Sequence, residues 1–220
     1  MIKAVVFDLD GTLLNTVPDI AAALNRALAA VGLPTHEEKA VKPFLGGGIR
    51  DAVVKATPEG TPEEMIQRVL DLYRDDYVAH CTEKTTLYDG VMEMVDRFVG
   101  SGIPLVVLSN KTEATAQKIV GHFFPDGQFR AAFGRVADRP LKPHADAAKP
   151  VMETLRLKPE EIAYVGDSNT DIFFAKAVGM LSVATPWGYR TREELESAGP
   201  DLMAEKPMDV FTLLEPYMAV

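Results

Sequence analysis

The chain has 220 residues, 23 Lys and Arg against 32 Asp and Glu, a formal net charge of −9 and 47% hydrophobic residues. That is enough chain for one large domain or two small ones with a sizeable core, and an acidic balance without a Lys/Arg run excludes a general nucleic-acid or membrane-surface binder. The one cysteine, Cys81, excludes an intrachain disulfide and makes the cytoplasm the expected compartment.

Met1-Ile2-Lys3-Ala4 leads straight into a short apolar run closed by Asp8 and Asp10, unlike the long apolar core of a signal peptide. Val5-Val6-Phe7 reads as a buried strand of β-branched and aromatic residues. After it, Ile20, Leu24, Ala27, Leu28 and Val31 recur at helical spacing and stop at Gly32 and Pro34. Asn25 and Arg26 interrupt that stretch, so no membrane span is expected. A short segment after Gly46-Gly47-Gly48 carries Ile49, Val53 and Val54 and reads as another helix. A further one starts where Thr61 as N-cap, Pro62 and Glu64 resemble a capping box, with Met65, Val69, Leu72, Tyr73 and Tyr77 on one face. No convincing strand falls between Phe7 and Val91. An all-helical domain is therefore expected over residues 15–84, with linkers near 14–18 and 82–89 and a core formed by 1–14 and 85–220.

From Val91 on, helical patterns over residues 91–99, 112–121, 145–157 and 171–178 alternate with apolar runs over 105–108, 132–136, 162–165 and 181–184. Strand alternating with helix, the strands apolar throughout, is the signature of a doubly wound α/β fold with a mostly parallel sheet. Met92 and Met94 with Phe98 read as helix-core packing.

The polar residues follow these strands. Asp8 and Asp10 end the first strand two apart, on one face, where both carboxylates can address one ligand beyond the sheet edge. By itself the pair is better read as a polar strand end with a helix cap. Gly166-Asp167-Ser168-Asn169-Thr170-Asp171 repeats the pattern after Tyr164-Val165. Two acidic strand ends facing one crevice suit a hard cation such as Mg²⁺, while Asp167 or Thr170 as a helix cap is the plainer alternative. Ser109-Asn110-Lys111, at the end of a strand and expected to lead into a helix, offers a hydroxyl, an amide and main-chain N–H groups to phosphate oxygens, with a plain turn and cap as the simpler alternative. Lys142, in a loop before a helix, offers a positive charge, and Lys149-Pro150 is a second lysine of the same kind. In the insert, Gly47 and Gly48 permit close backbone approach and Arg50 suits a carboxylate or second phosphate on a substrate, a flexible loop with a solvated arginine being the equal alternative. His36, His80, His122 and His144 form no close-spaced pair, so no zinc site is expected.

The order DLDGTL (residues 8–13), SNK (109–111), KP (142–143) and GDSNTD (166–171) resembles the haloacid dehalogenase superfamily of phosphotransferases, across nearly the whole chain. The helical insert and the tail Thr185-Pro186-Trp187-Gly188-Tyr189-Arg190 are similar to its branch that includes phosphoglycolate phosphatases. Asn15 stands where many relatives carry an acid, a departure outside the catalytic set. The resemblance implies Asp8 as nucleophile and Asp10 as general acid and then base. It implies Ser109, the Asn110 amide and Lys142 around the phosphoryl group, Lys142 being preferred to Lys149 for its spacing before GDSNTD. Mg²⁺ is then expected on the Asp8 carboxylate, the Asp10 main-chain carbonyl and Asp167, with Asp171 either adjacent through water or orienting Lys142. The implied protein is a phosphatase of a small phosphorylated metabolite, monomeric or homodimeric, with Arg50, Gly47 and Gly48 reading the leaving group. A phosphomutase of the β-phosphoglucomutase type shares these motifs, and a non-catalytic binding protein shares the fold.

Overall fold

The computed structural model describes residues 1–218. The chain divides into two compact units, Met1–Leu14 with the chain from Leu87 onward, and Asn15–Thr86. It opens with β1 (Ala4–Phe7) and β2 (Leu14–Asn15), passes through α1 (Val17–Ala30), α2 (Glu38–Val41), α3 (Ile49–Ala56) and α4 (Glu63–His80), and returns by β3 (Thr86–Leu87). Then follow α5 (Val91–Gly100), β4 (Leu105–Thr112), α6 (Glu113–Phe123), β5 (Phe129–Arg135), α7 (Lys149–Leu155), β6 (Ile162–Gly166) and α8 (Asn169–Val178). The last elements are β7 (Leu181–Ala184), α9 (Arg192–Ala198), β8 (Leu202–Met203) and α10 (Pro207–Leu214).

The larger unit is built on a six-stranded parallel sheet in the order β5-β4-β1-β6-β7-β8. Every residue of β1 and β6 is buried, which is why both segments read as unbroken apolar runs. On one face Val6, Val106, Leu108 and Tyr164 pack with Val151, Leu155 and Phe174. On the other Phe7 meets Phe98 edge-on at 6.2 Å, and Phe98 meets Phe211 at 5.0 Å. The chain fills the β4–β5 side of β1 first and then returns to its other side with β6. The β1/β6 boundary is thus the point where the winding reverses, and ligands of such sheets bind beyond the strand ends there.

In the helical unit α1 and α4 carry the core, with Ile20, Leu24 and Leu28 buried on one and Ile66, Val69, Leu70, Tyr73 and Tyr77 on the other. Buried Asp19 closes this unit's return segment, accepting hydrogen bonds from Lys84 N at 2.9 Å, Thr85 N at 2.8 Å and Thr85 Oγ1 at 2.8 Å.

Several expectations are corrected. Thr61 caps nothing: its hydroxyl turns back to the Pro58 carbonyl at 2.6 Å, Pro62 occupies the N-cap and α4 starts at Glu63, leaving Met65 and Leu72 half-buried beside the buried stripe. Residues 145–157 are not one helix. A 3₁₀ turn over Ala145–Ala148 gives way to α7 at Lys149, because Pro150 lacks an N–H and fits only a first helical turn. Ser109-Asn110-Lys111 lies at the end of a strand as the sequence suggests, in β4, which runs on to Thr112 before α6 starts at Glu113. Its pairing with β5 is irregular between Leu108 and Thr112.

Candidate active site

Two strand ends supply the acids. Asp8 follows β1, its N–H held by the Val165 carbonyl of β6 at 2.9 Å, and Gly11 at φ 88° turns the chain back so that its N–H reaches Leu14 O at 2.8 Å. Asp167 follows β6, and Asp171 lies in the first turn of α8. Asp8, Asp167 and Asp171 are buried and each offers a carboxylate oxygen within 4.8 Å of the other two. Among the described residues this is the one such group, and no histidine enters it.

Lys142 enters between the acids. Its Nζ lies 2.9 Å from Asp8 Oδ1, 2.7 Å from Asp171 Oδ1 and 2.7 Å from the Tyr164 hydroxyl. Asn110 holds the same residue by its main chain: the side-chain Oδ1 accepts from Lys142 N at 2.9 Å and Nδ2 donates to Lys142 O at 3.1 Å. Lys149 is exposed and pairs with Asp146 at 3.2 Å, away from the acids. Asp10 pairs with Lys111 at 3.0 Å. Ser109 is buried at the end of β4, its hydroxyl accepting from Lys111 N at 3.3 Å.

Asp167 is the most enclosed acid. Thr12 Oγ1 donates to its Oδ1 at 3.0 Å, and the Tyr189 main-chain N–H to its Oδ2 at 2.6 Å. A Cβ on Gly11 or on Gly188 would strike the Asp167 carboxylate, and one on Gly166 would strike the Asp171 side chain. The glycines let backbone close around the acids where any side chain would displace them. Trp187 Nε1 donates to Thr12 O at 3.0 Å, tying the turn after β7 to the turn after β1.

The electrostatics follow from this burial. Asp8 is pushed up to about 7, first by desolvation and then by the charges of Asp171 and Asp10, with Lys142 pulling the other way. Asp167 is raised well above the usual carboxylate range by burial and by the charges of Asp171 and Asp8. Burial alone would depress Lys142, but Asp171 and Asp8 hold its ammonium charged and raise it well above the ordinary value. Carboxylates kept together out of water at this cost call for a cation. All-oxygen donors suit a hard one, and buried Asp8 Oδ1 receives no hydrogen bond, only the nearby charge of Lys142. The donor set fits Mg²⁺.

In the helical unit, Gly48 at φ 87° precedes α3 and Arg50 is half-exposed, paired with Glu63 at 2.7 Å. Gly47 packs so closely on Asp51 that a Cβ would overlap its side chain.

Tyr164, Thr12, Gly188 and the Tyr189 N–H join the site beyond the residues expected from sequence. A hydroxyl in an apolar strand and the Gly-Thr after Asp10 are legible signs of two of them. A main-chain donor leaves none.

Residues 5–185 match the family of haloacid dehalogenase-like hydrolases. A phosphoglycolate phosphatase from Vibrio cholerae is 32% identical, the match covering 97% of this chain and 96% of that protein. One from Chromobacterium violaceum is 30% identical, covering 97% of each. A crystal structure from Lactobacillus delbrueckii subsp. bulgaricus, provisionally assigned as a phosphoglycolate phosphatase, superposes with a TM-score of 0.90 at 27% identity over 96% of this chain and 98% of that one.

Proposed function

Because the chain belongs to the haloacid dehalogenase-like hydrolase family, we propose that it is a Mg²⁺-dependent phosphatase of small phosphate monoesters, most like a phosphoglycolate phosphatase, working through an aspartyl phosphate on Asp8. The observation that carries this reading is the convergence of Asp8, Asp167 and Asp171 within 4.8 Å around one lysine charge, at the point where the sheet winding reverses.

In the first step an Asp8 carboxylate oxygen bonds to phosphorus while the bond to the leaving oxygen breaks, and Asp10 delivers its proton to that oxygen. In the second, Asp10 takes a proton from water as that water bonds to phosphorus and the Asp8–phosphorus link opens, returning inorganic phosphate and free Asp8. Lys142 fixes the charge and direction of Asp8, and the Ser109 hydroxyl and Asn110 N–H bind the non-bridging oxygens. Asp8, the Asp10 carbonyl and Asp167 would hold Mg²⁺, with Asp171 behind Lys142; when bound it supplies charge neutralisation among the acids and to the transferring group. Several groups acting together are needed, since enzymic acceleration of monoester hydrolysis reaches ~10²¹, more than about 20 kcal/mol of barrier. The helical unit is assigned the choice of leaving group, through Arg50 and the Gly47-Gly48 backbone.

The test is hydrolysis of p-nitrophenyl phosphate and of phosphoglycolate with Mg²⁺. Turnover, release of stoichiometric phosphate, and loss of both with EDTA or in Asp8→Asn are expected. An isomeric product in place of phosphate, metal-independent turnover, or an active Asp8→Asn chain would each reject the reading.

A further inference from the structure

Tyr164 lies in β6, paired in register with Val6 of β1. Its hydroxyl does not stay at β6: it donates to the main-chain carbonyl of Leu108 in β4, on the far side of β1, at 2.9 Å. The side chain thus spans the central strand and ends beneath the last residue before Ser109. At the same point its oxygen accepts from Lys142 Nζ at 2.7 Å and stands 3.3 Å from Asp171 Oδ1. The ring is fixed separately, edge-on to Phe174 at 5.0 Å and 1% exposed.

An ammonium has three N–H groups in a threefold arrangement. At Lys142 two of these donate to Asp171 and to the Tyr164 hydroxyl, and the ammonium so held lies 2.9 Å from Asp8 Oδ1 as an ion pair. Without the hydroxyl, the ammonium would hold one fixed partner fewer and be free to turn toward Asp171 and away from Asp8. With it, the ammonium is set by donor bonds to β6 and α8 beside the charge of Asp8, and the hydroxyl's own proton has its shorter bond to the Leu108 carbonyl of β4 at 2.9 Å and a longer one to Asp171 Oδ1 at 3.3 Å.

We propose that Tyr164 is a positioning residue of the hydrolytic site, whose hydroxyl holds the Lys142 charge beside the Asp8 carboxylate and ties its place to the β4 segment that leads into Ser109. This rests on the phosphatase reading above. Tyr164 touches no substrate atom in this scheme; it acts through Lys142.

Tyr164→Phe keeps the ring and its packing and removes one oxygen. With p-nitrophenyl phosphate at saturating Mg²⁺, kcat is expected to fall by about 10- to 100-fold, the scale of a hydrogen bond to a charged group, while KM changes by less than about twofold. In a Lys142→Ala background the same change is expected to cost nothing further, because its target is gone. A merely structural role predicts instead equal losses in both backgrounds. Replacing Tyr164 by 3,5-difluorotyrosine, which keeps the hydroxyl in place but weakens its oxygen as an acceptor, is expected to lower kcat several-fold, and this variant keeps the test available if the Phe chain does not fold. A Tyr164→Phe chain with wild-type kcat, a loss that multiplies with Lys142→Ala, or wild-type kcat in the difluorotyrosine variant would overturn the proposal. Wild-type turnover abolished by Asp8→Asn, measured alongside, keeps that result separate from failure of the phosphatase reading.

Discussion

Asp10 and Asn110 show how one residue's two ends divide the work. The proposed metal contact of Asp10 is its carbonyl, whereas its carboxylate, 3.0 Å from Lys111, carries the proton. Asp10→Asn is therefore expected to lower kcat by about 10²- to 10⁴-fold, the range for a lost general acid–base, with Mg²⁺ affinity from titration calorimetry nearly unchanged. Activity restored by more Mg²⁺ would contradict that division. Asn110 is the converse: its N–H is assigned to phosphate, but its side chain clamps the Lys142 main chain at 2.9 and 3.1 Å. Asn110→Ala leaves the N–H in place, and kcat is expected to drop at least about tenfold through the freed lysine loop. A wild-type kcat would mean that the loop holds Lys142 unaided. Asp8, Asp10 and Asp167 were legible because a carboxylate directly after an apolar strand is costly without a purpose. The Asn110 clamp was not, since it joins residues 32 apart in sequence and an amide in a turn has many other uses.

At the scale of elements, the start of α8 is both a helix cap and part of the site. The Ser168 hydroxyl and N–H donate to Asp171 Oδ2 at 2.6 and 3.1 Å, while Asp171 Oδ1 receives Lys142. The cap is therefore Ser168, not Asp167 or Thr170, and it shares Asp171 with the site. Ser168→Ala removes the cap, worth about 1 kcal/mol, and a chain of this length is expected to lose about 2–4 °C of melting temperature by calorimetry, with kcat less affected. The turn after β7 behaves oppositely: Gly188 has no space for a Cβ beside Asp167 and the Gly11 carbonyl. Gly188→Ala is expected to weaken Mg²⁺ binding strongly by moving Asp167; unchanged affinity would show that the turn yields instead. The main strands were readable because burial on both faces makes them apolar throughout, whereas the two-residue β8 has too few residues to show a period. The α9 start did carry a sign: Thr191 accepts from Glu194 N at 3.3 Å while Glu194 accepts from Thr191 N at 2.8 Å, a capping box visible as Thr-x-x-Glu.

For the whole molecule, the acids that build the site also set how stability depends on pH. In the folded chain Asp8 titrates near 7 rather than at its ordinary 3.8, and Asp167 is displaced the same way. From about pH 4 to 7 the folded chain retains protons that the unfolded chain has released, so stability falls as pH rises through that window, by up to ~1.4 kcal/mol per unit for each such group. Glu161 and Glu193 are lowered from their ordinary 4.5 and act with the opposite sign, but their change is complete by about pH 5.5, one unit above that value. The window between about pH 5.5 and 7 therefore isolates the site acids. In EDTA the melting temperature is expected to decline across it. A cation bound only by the folded chain favours the ionised acids and adds stability by mass action, so saturating Mg²⁺ is expected to abolish or reverse the decline. A metal-free chain whose melting temperature is flat over this range, or one in which Mg²⁺ shifts every pH point equally, would mean that Asp8 and Asp167 are not the groups the cation relieves.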